Sequence, residues 1–359
     1  MFLKSFGLVM KKFLLAAGIS ITFLSVSSAQ DMHLSQFYTS DHLLNPAKVG
    51  DYDGDYRFIG NYRNQWRQIP QQTTQGTSNN SPLNTYIVSF DKAFHYYSHE
   101  IDGGILALRD QFTGFNTVTT KLLLTAGYGY LLKGHKLRIG IQGGLVSNST
   151  DLSLQTFPNQ WDYNPGPTQT GFFNSQINSN ETTLNRSQNY FDLNTGVQWS
   201  KRFKKLEPKC GFALDHVNRP KDTYFSTTAE RLRMLKIVHA ELNYFLNNKI
   251  TIQPKLLWMW TDNANNMVFG SNFRYNTGNK IISSVFVGAL FRSGADRNTD
   301  ALIPVAGFSY KRFDLGFSYD VNVSTLSQDV SRARTFEFSI IYTGASSKPK
   351  FIALPCDRY

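Results

Sequence analysis

Apolar and polar residues alternate along most of the chain with a period of two. In residues 136–146, Leu137, Ile139 and Ile141 fall on one face, while charged, amide or glycine residues fall on the other. Residues 118–130 repeat the pattern. A strict two-residue period predicts a β-strand with one apolar and one polar face. The sequence therefore predicts a chain of half-buried strands.

About fourteen such strands are predicted. They lie near residues 55–67, 82–92, 101–110, 117–131, 135–148, 189–203, 206–216, 232–246, 249–261, 265–275, 281–292, 302–310, 313–323 and 333–343. Short turns alternate with longer polar connections, which is typical of outer-membrane barrels, whose turns face the periplasm and whose loops face outward. The fold class is thus all-β, a transmembrane outer-membrane β-barrel of about 14 antiparallel strands.

The first thirty residues predict export. Three lysines precede an apolar run at residues 13–24, and the small residues Ser27 and Ala29 then stand at the −3 and −1 positions of a cleavage site. This order is typical of a secretory signal peptide, assigned here to residues 1–29. A transmembrane anchor is the alternative, but the run falls short of the roughly 20 residues that a spanning helix needs.

Composition agrees with an exported barrel. The chain holds 28 Phe, 18 Tyr, 5 Trp and 26 Gly but only 2 Cys, and its mean hydropathy is −0.32. Lipid-facing and lumen-facing residues cancel in such an average. After the signal, no run of 18 apolar residues could form a spanning helix. A soluble periplasmic sandwich or propeller is the rival fold.

The charge balance does not change this interpretation. The formal net charge is +11, and removing the three lysines of the signal leaves +8. Basic chains can bind nucleic acid, but scattered Lys and Arg in an exported chain argue against it. Lumen-lining residues and contact with the head groups of outer-membrane lipid account for the excess.

Motifs for catalysis are absent, so we expect no enzyme activity, no cofactor and no metal. Neither a nucleophile elbow, a zinc-protease motif nor a nucleotide-binding loop occurs. His95 and His99 are the closest histidine pair, and they fall in a predicted turn, where they would not converge on a metal. Glu337 and Asp320 are expected on lumen-facing sides, in salt-bridge networks.

Two polar segments are candidate sites for a plug or a partner. Tyr62, Arg63, Asn64, Gln65 and Trp66 combine a guanidinium, amides and aromatic rings in one strand, and can either fill the lumen by pairing with acidic residues or recognise a partner directly.

The connection at 149–188, which includes Trp161, has scattered aromatics among polar residues. It can make surface contacts, fold inward as a plug, or be disordered. Asn45 and Pro46 have turn chemistry, so an extended segment is expected to turn before the first strand. Ser35, Gln36, Asn45 and Pro46 are further candidates for a plug or for partner binding.

A set of motifs resembles a known family. The residues from Asp31 to Tyr38, which include Ser35 and Gln36, are followed by Leu44-Asn45-Pro46-Ala47, by the cluster at 61–66, by residues 211–220 and by Pro355-Cys356-Asp357-Arg358-Tyr359. This order resembles the PorP/SprF family of outer-membrane proteins in the type IX secretion and gliding systems of the Bacteroidota. Phe336 and Asp357 depart from residues common in that family.

The resemblance implies a non-enzymatic role in type IX secretion. Such a protein supports the export and surface attachment of clients, such as large adhesins with type B C-terminal sorting domains. Its partners would be the secreted surface protein and type IX secretion or peptidoglycan-anchoring proteins in the periplasm. The alternative is an outer-membrane diffusion channel or substrate-specific transporter. In this scheme residues 30–54 form a periplasmic segment, 55–343 the barrel and 344–359 a periplasmic tail.

The sequence leaves open whether the two cysteines form a disulfide. Cys210 follows a turn expected on the periplasmic side, and Cys356 lies in the tail expected on that side. The periplasm permits oxidation, so a disulfide between them is one possibility. The other is that Cys210 is a small strand residue and Cys356 a partner-facing thiol.

Overall fold

The computed structural model describes residues 32–65, 71–73, 76–78, 82–113, 116–151, 157–163, 171–174, 176–180, 185–221, 231–262, 264–294, 299–323 and 334–345. Contacts group the chain from His33 onward as one unit. The predicted signal peptide, Trp66 and Cys356 lie outside the described residues.

The described part of the chain is dominated by β-strands. Four short strands form two small hairpins within connections, namely β2 (Gln71–Thr73) with β3 (Gly76–Ser78) and β8 (Trp161–Tyr163) with β9 (Gly171–Phe173). The other strands are β1 (Tyr56–Gln65), β4 (Leu83–Tyr96), β5 (His99–Phe112), β6 (Thr117–Leu132), β7 (His135–Asp151), β10 (Asn185–Lys201), β11 (Leu206–Asp215), β12 (Leu235–Phe245), β13 (Ile250–Trp260), β14 (Asn265–Asn276), β15 (Ile282–Ser293), β16 (Thr299–Tyr310), β17 (Phe313–Asn322) and β18 (Thr335–Thr343).

These fourteen longer strands form one closed antiparallel barrel. Each pairs with its neighbours in chain order, and β1 pairs with both β4 and β18, so the barrel closes where its first and last strands meet. Every predicted strand overlaps one of them. The predicted 14-stranded antiparallel barrel is therefore confirmed.

The two ends of the barrel differ. The short-turn end carries tight turns such as Tyr97-Ser98 and Lys133-Gly134. The long-loop end carries connections such as residues 152–184 and 323–334. β1 begins at the short-turn end and finishes at the long-loop end, while β18 runs back the other way.

Side chains alternate across the barrel wall as the sequence predicts. On β6 and β7, Leu122 is 51% exposed and Ile139 57%, whereas Arg138 and Gln142 are each 2% exposed. Because consecutive side chains of a strand point to opposite faces, a closed barrel sends one set outward and the other into the lumen. The apolar set faces outward here, as in a barrel surrounded by lipid.

The segment before β1 is helical in short pieces. Phe37–Thr39 and Pro46–Lys48 form 3₁₀ turns around α1 (Asp41–Leu44). Asn45 caps the second 3₁₀ turn, since its side chain accepts a hydrogen bond from the amide of Ala47, 2.8 Å away. Pro46 follows directly, with a ring that fits the first position of a helical turn. The turn predicted at Asn45 and Pro46 is present, but the segment around it forms short helical pieces and is not extended as predicted.

Within the described residues, no helix is long and apolar enough to cross a membrane.

Candidate functional site

The lumen holds the chain's own N-terminal segment, and we call residues 33–51 the plug. Near its start Ser35 bonds to β17 and β18, while further along Asn45 and Lys48 bond to β10, β11 and β12. A segment this short reaches opposite walls of a closed barrel only from inside. The expectation that residues 30–54 form a periplasmic segment is corrected for residues 33–51.

The first part of the plug is held at the long-loop end. The Glu337 carboxylate accepts the backbone amides of Ser35, at 2.6 Å, and Gln36, at 2.8 Å. The Ser35 hydroxyl donates to Asp320, 2.8 Å away. Arg63 pairs with Glu337, and all these side chains are buried. The predicted lumen networks of Glu337 and Asp320 are therefore present.

Arg292 completes this cluster. Its guanidinium donates to the Asp320 carboxylate at 2.6 Å and also to the Ser35 hydroxyl. Two guanidinium groups thus face two carboxylates in a water-poor space. Buried charges are tolerated when they are paired and hydrogen-bonded in this way.

A second ionic cluster holds α1. Asp41 pairs with Arg57 of β1, whose guanidinium also donates to Asp91 of β4 at 3.0 and 2.7 Å. Asp91 in turn accepts the Gly50 amide at 2.9 Å. One guanidinium therefore links the plug to two neighbouring strands.

Lys48 bridges the plug to the opposite wall. Its ammonium lies 2.7 Å from Asp41 and 2.7 Å from Glu241 of β12. Burial would lower the pKa of Lys48, but the two carboxylates outweigh it and raise that pKa above the usual range. Lys48 is therefore a charged cross-link through the lumen.

Backbone groups of the plug are recognised as well as its side chains. Arg138 of β7 donates to the carbonyl oxygens of Ala47, at 2.9 Å, and of Val49, while pairing with Asp102. Gln142 donates to the carbonyl of His42 at 3.0 Å. These bonds satisfy carbonyl groups that would otherwise be buried without partners.

Small residues let the plug approach the wall closely. A Cβ atom built on Gly140 would lie 2.3 Å from the carbonyl carbon of Pro46. Likewise, one on Gly196 would lie 2.0 Å from the side-chain oxygen of Asn45. Asn45 itself donates to the carbonyl of Val197 at 3.1 Å and contacts the His239 ring at 3.0 Å. Glycine on the inner face is thus a steric requirement of the plug.

Asp51 ends the plug at the short-turn end. Its carboxylate lies 3.2 Å from the Lys136 ammonium, 3.1 Å from that of Lys209 and 2.8 Å from the Gln198 amide. Burial alone would raise the pKa of Asp51, but the two ammonium groups hold it well below its usual range.

One wall of the lumen is apolar. Phe37 and Leu44 of the plug are buried in a cluster with inward side chains of β11 to β16, including Ile237, Leu257 and Leu290. Phe37 and Leu44 thus give the plug an apolar face, while its charged groups pair with strands on several sides of the barrel. Burial of each large side chain contributes about 1.5–3 kcal/mol.

The predicted polar cluster of β1 is divided by the barrel wall. Arg63 faces the lumen, where its guanidinium also donates to Gln65 at 3.2 and 3.0 Å. Tyr62 instead faces outward, with its ring 5.0 Å from that of Tyr86. Asn64 donates to Asn84 at 2.6 Å. The hypothesis that the whole run fills the lumen is wrong for Tyr62, because neighbours on a strand point to opposite faces.

Trp161 lies apart from the plug. It is 50% exposed on the hairpin of β8 and β9, where it packs edge-on against Phe173 at 4.9 Å. Of the predicted site residues, the structure therefore brings together Ser35, Gln36, Asn45, Pro46, Arg63 and Gln65 in the lumen. It leaves Tyr62 on the outer surface and Trp161 in a loop.

The other candidate residues do not form a reactive site. His95 lies 3.4 Å from Glu100 at the inner face, whereas the His99 ring lies on the outer face, with its Nδ1 2.7 Å from the Tyr128 hydroxyl. In the described part of the chain, no group of three His, Cys, Asp or Glu residues is placed to hold a metal. Cys210 is exposed and forms no disulfide with another described residue. Its pairing with Cys356 stays a prediction.

Sequence reasoning missed Asp41, Lys48, Asp51 and Arg138 as functional residues. The signal for Arg138 was present, because an arginine on the polar face of a strand needs a partner in the lumen. The signal for the other three was weak, since charged residues before the first strand are ordinary in a solvated segment.

A closed 14-stranded barrel with an apolar outer face, whose charged lumen holds the chain's own N-terminal segment, defines the class as a plugged outer-membrane β-barrel. The chain matches the family described as type IX secretion system membrane protein PorP/SprF over residues 26–342. It therefore belongs to the PorP/SprF family, as its motifs predict. No curated protein matches the chain.

Solved structures of low sequence identity are similar to the chain. The chain is similar to the CymD monoaromatic hydrocarbon channel, with a TM-score of 0.51 and 11% identity over 86% of this chain and 92% of that one. It is also similar to the toluene transporter TbuX of Ralstonia pickettii, with a TM-score of 0.49 and 10% identity over 85% and 92%.

Proposed function

We propose that this protein is a non-enzymatic outer-membrane component of type IX secretion that supports the export and surface attachment of client proteins. Large adhesins with type B C-terminal sorting domains are the proposed clients. Residues 1–29 direct export and are removed. Membership of the PorP/SprF family supports the role in type IX secretion. The plug in the lumen supports a docking role for the barrel.

The plug argues for a docking platform over an open pore. Its ion pairs at Glu337, Arg57, Lys48 and Asp51 connect it to strands around the whole barrel. Release of the plug would separate these buried pairs together and would expose the buried side chains of Phe37 and Leu44 to water, so it is unfavourable. A barrel that stays plugged does not conduct solutes and instead offers its two ends to other proteins.

The long-loop end supplies a surface for clients. The hairpin of β8 and β9 displays Trp161 beside Phe173 among amide-rich residues. Exposed aromatic side chains flanked by adaptable polar groups are typical of protein-binding surfaces. We propose that clients dock on these loops, and that the short-turn end meets type IX secretion or peptidoglycan-anchoring proteins in the periplasm.

A diffusion channel or substrate-specific transporter is the rival function. CymD, which has the same fold, is a monoaromatic hydrocarbon channel. A barrel of this fold can therefore serve transport when its lumen provides a path.

Deletion of the gene followed by proteomics of the cell surface tests the proposal. We expect one or a few proteins with sorting domains to be lost from the surface, while the rest of the type IX secretome remains. Re-expression of the intact chain should restore them. Unchanged display of every such protein would contradict the proposal.

Conductance in planar bilayers separates the two functions. The purified intact barrel should be electrically silent, because the plug fills the lumen. Steady ion conductance of the unaltered protein, together with normal surface display in the deletion strain, would support the channel function instead.

A further inference from the structure

The plug has a direction through the barrel. Ser35 bonds to Glu337 and Asp320, which lie two residues from the long-loop ends of β18 and β17. Sixteen residues later, Asp51 bonds to Lys136 and Lys209, near the short-turn ends of β7 and β11. The segment therefore runs from the long-loop end to the short-turn end before it enters β1.

The residues just before Ser35 lie at the long-loop end as well. The carbonyl of His33 accepts a hydrogen bond from Arg63, at 3.1 Å, two residues from the end of β1. His33 is only partly buried, whereas Leu34, Ser35 and Gln36 are buried. The chain thus passes from the interior toward the mouth between Ser35 and His33.

We infer that the plug starts at the long-loop mouth, so that His33 lies on the outer face of the membrane, as part of the surface that the proposed function makes available to clients. With cleavage after Ala29, Gln30 is five positions before Ser35, and that stretch spans at most about 17 Å. The apolar band of such a barrel is about 25 Å tall. The stretch is therefore too short to lead back to the periplasmic side.

Single-cysteine labelling at the two ends of the plug tests the path. In a full-length Cys210→Ala, Cys356→Ala background, His33→Cys reports the start of the plug and Asp53→Cys, an exposed position just past its end, serves as the matched control. Gln176→Cys marks a long loop and Lys133→Cys a short turn. A maleimide carrying a polymer of several kilodaltons is applied to intact and then to permeabilised cells.

His33→Cys should label on intact cells together with Gln176→Cys, while Asp53→Cys should label only after permeabilisation, together with Lys133→Cys. The inference would be overturned if His33→Cys labels only in permeabilised cells, as Lys133→Cys does, or only after denaturation. Heat-modifiability on gels verifies that each variant forms a barrel.

An epitope inserted directly after Gln30 gives a second readout. An antibody should bind it on intact cells, and the inference fails if binding requires permeabilisation. The labelling results do not depend on the proposed function, because a channel with the same plug path would label in the same way relative to Gln176→Cys and Lys133→Cys.

Discussion

Arg63 and Glu337 lie directly opposite each other where the first and last strands of the barrel meet, and their side chains form a buried ion pair. The same carboxylate accepts the amides of Ser35 and Gln36. Closure of the barrel and docking of the plug therefore share one residue, and a barrel that closes incorrectly also loses its plug contacts.

This shared contact predicts that the effects of Arg63 and Glu337 substitutions on barrel stability are strongly coupled. Arg63→Ala should destabilise the barrel by about 3–5 kcal/mol, because it leaves a buried carboxylate without its main partner. In Arg63→Ala, Glu337→Gln the carboxylate is gone, so the double variant should lose less than the sum of the single variants. The unfolding temperature in semi-native gels measures each. Strict additivity would contradict a shared network.

The plug's close approach to β7 predicts a steric effect at Gly140. In Gly140→Ala, the added methyl group would meet the backbone of Pro46 at 2.3 Å, which neither rigid partner can relieve. We expect the plug to be displaced and ion conductance to appear in planar bilayers.

Gly103→Ala is the matched control for that variant. A Cβ atom there meets nothing within 4 Å. This variant should remain silent in bilayers. Equal conductance of the two variants would show that loss of a wall glycine causes the conductance, and not displacement of the plug.

Plug docking should weaken in acid, but in alkali only at strongly alkaline pH. The pKa of Asp51 is lower in the docked state, so its contribution is complete above the ordinary carboxyl pKa of about 3.9 and is lost as pH falls through the docked value. Lys48 behaves oppositely, since its raised pKa preserves its contribution until strongly alkaline pH. The part of the barrel unfolding temperature that depends on Asp51 and Lys48 should therefore be constant from about pH 5 to 9 and fall below about pH 4.

Asp51→Asn tests that assignment. Its unfolding temperature should be lower at pH 7 and should change less in acid than that of the unaltered chain, because the titrating group is absent. An unchanged acid dependence would assign the effect to other carboxylates.

The outer face predicts sensitivity to charge. Leu122→Arg or Ile139→Arg should impair barrel assembly, because an arginine facing the bilayer midplane costs about 2–4 kcal/mol. Leu122→Phe is the control, since it stays apolar. Heat-modifiability on gels measures assembly, and equal folding of Leu122→Arg and Leu122→Phe would show that the residue does not face lipid.

Gln142→Arg would be expected to be harmless if Gln142 only faced water in the lumen. The structure changes this expectation, because Gln142 donates to His42 of the plug and accepts from Asn194. The substitution should therefore loosen the plug.

The sequence by itself determined the barrel. Alternation in residues such as Leu137, Arg138 and Ile139 sets which side chains face outward, because a strand has only two faces and one must be apolar. Turn residues such as Gly134 set where strands reverse. These are local properties, so the strand count and the facing of most residues could be predicted, as could the placement of Arg63 and Glu337 in the lumen.

Only the tertiary structure decided what fills the barrel. Nothing local to Asp41, Lys48 or Asp51 shows that they are buried, because their partners Arg57, Glu241 and Lys209 lie 16, 193 and 158 residues further along the chain. Closing fourteen strands creates an enclosed space, and the charges that face it must find partners of opposite sign there. The plug meets that requirement, and its direction follows from which end of the barrel holds each partner.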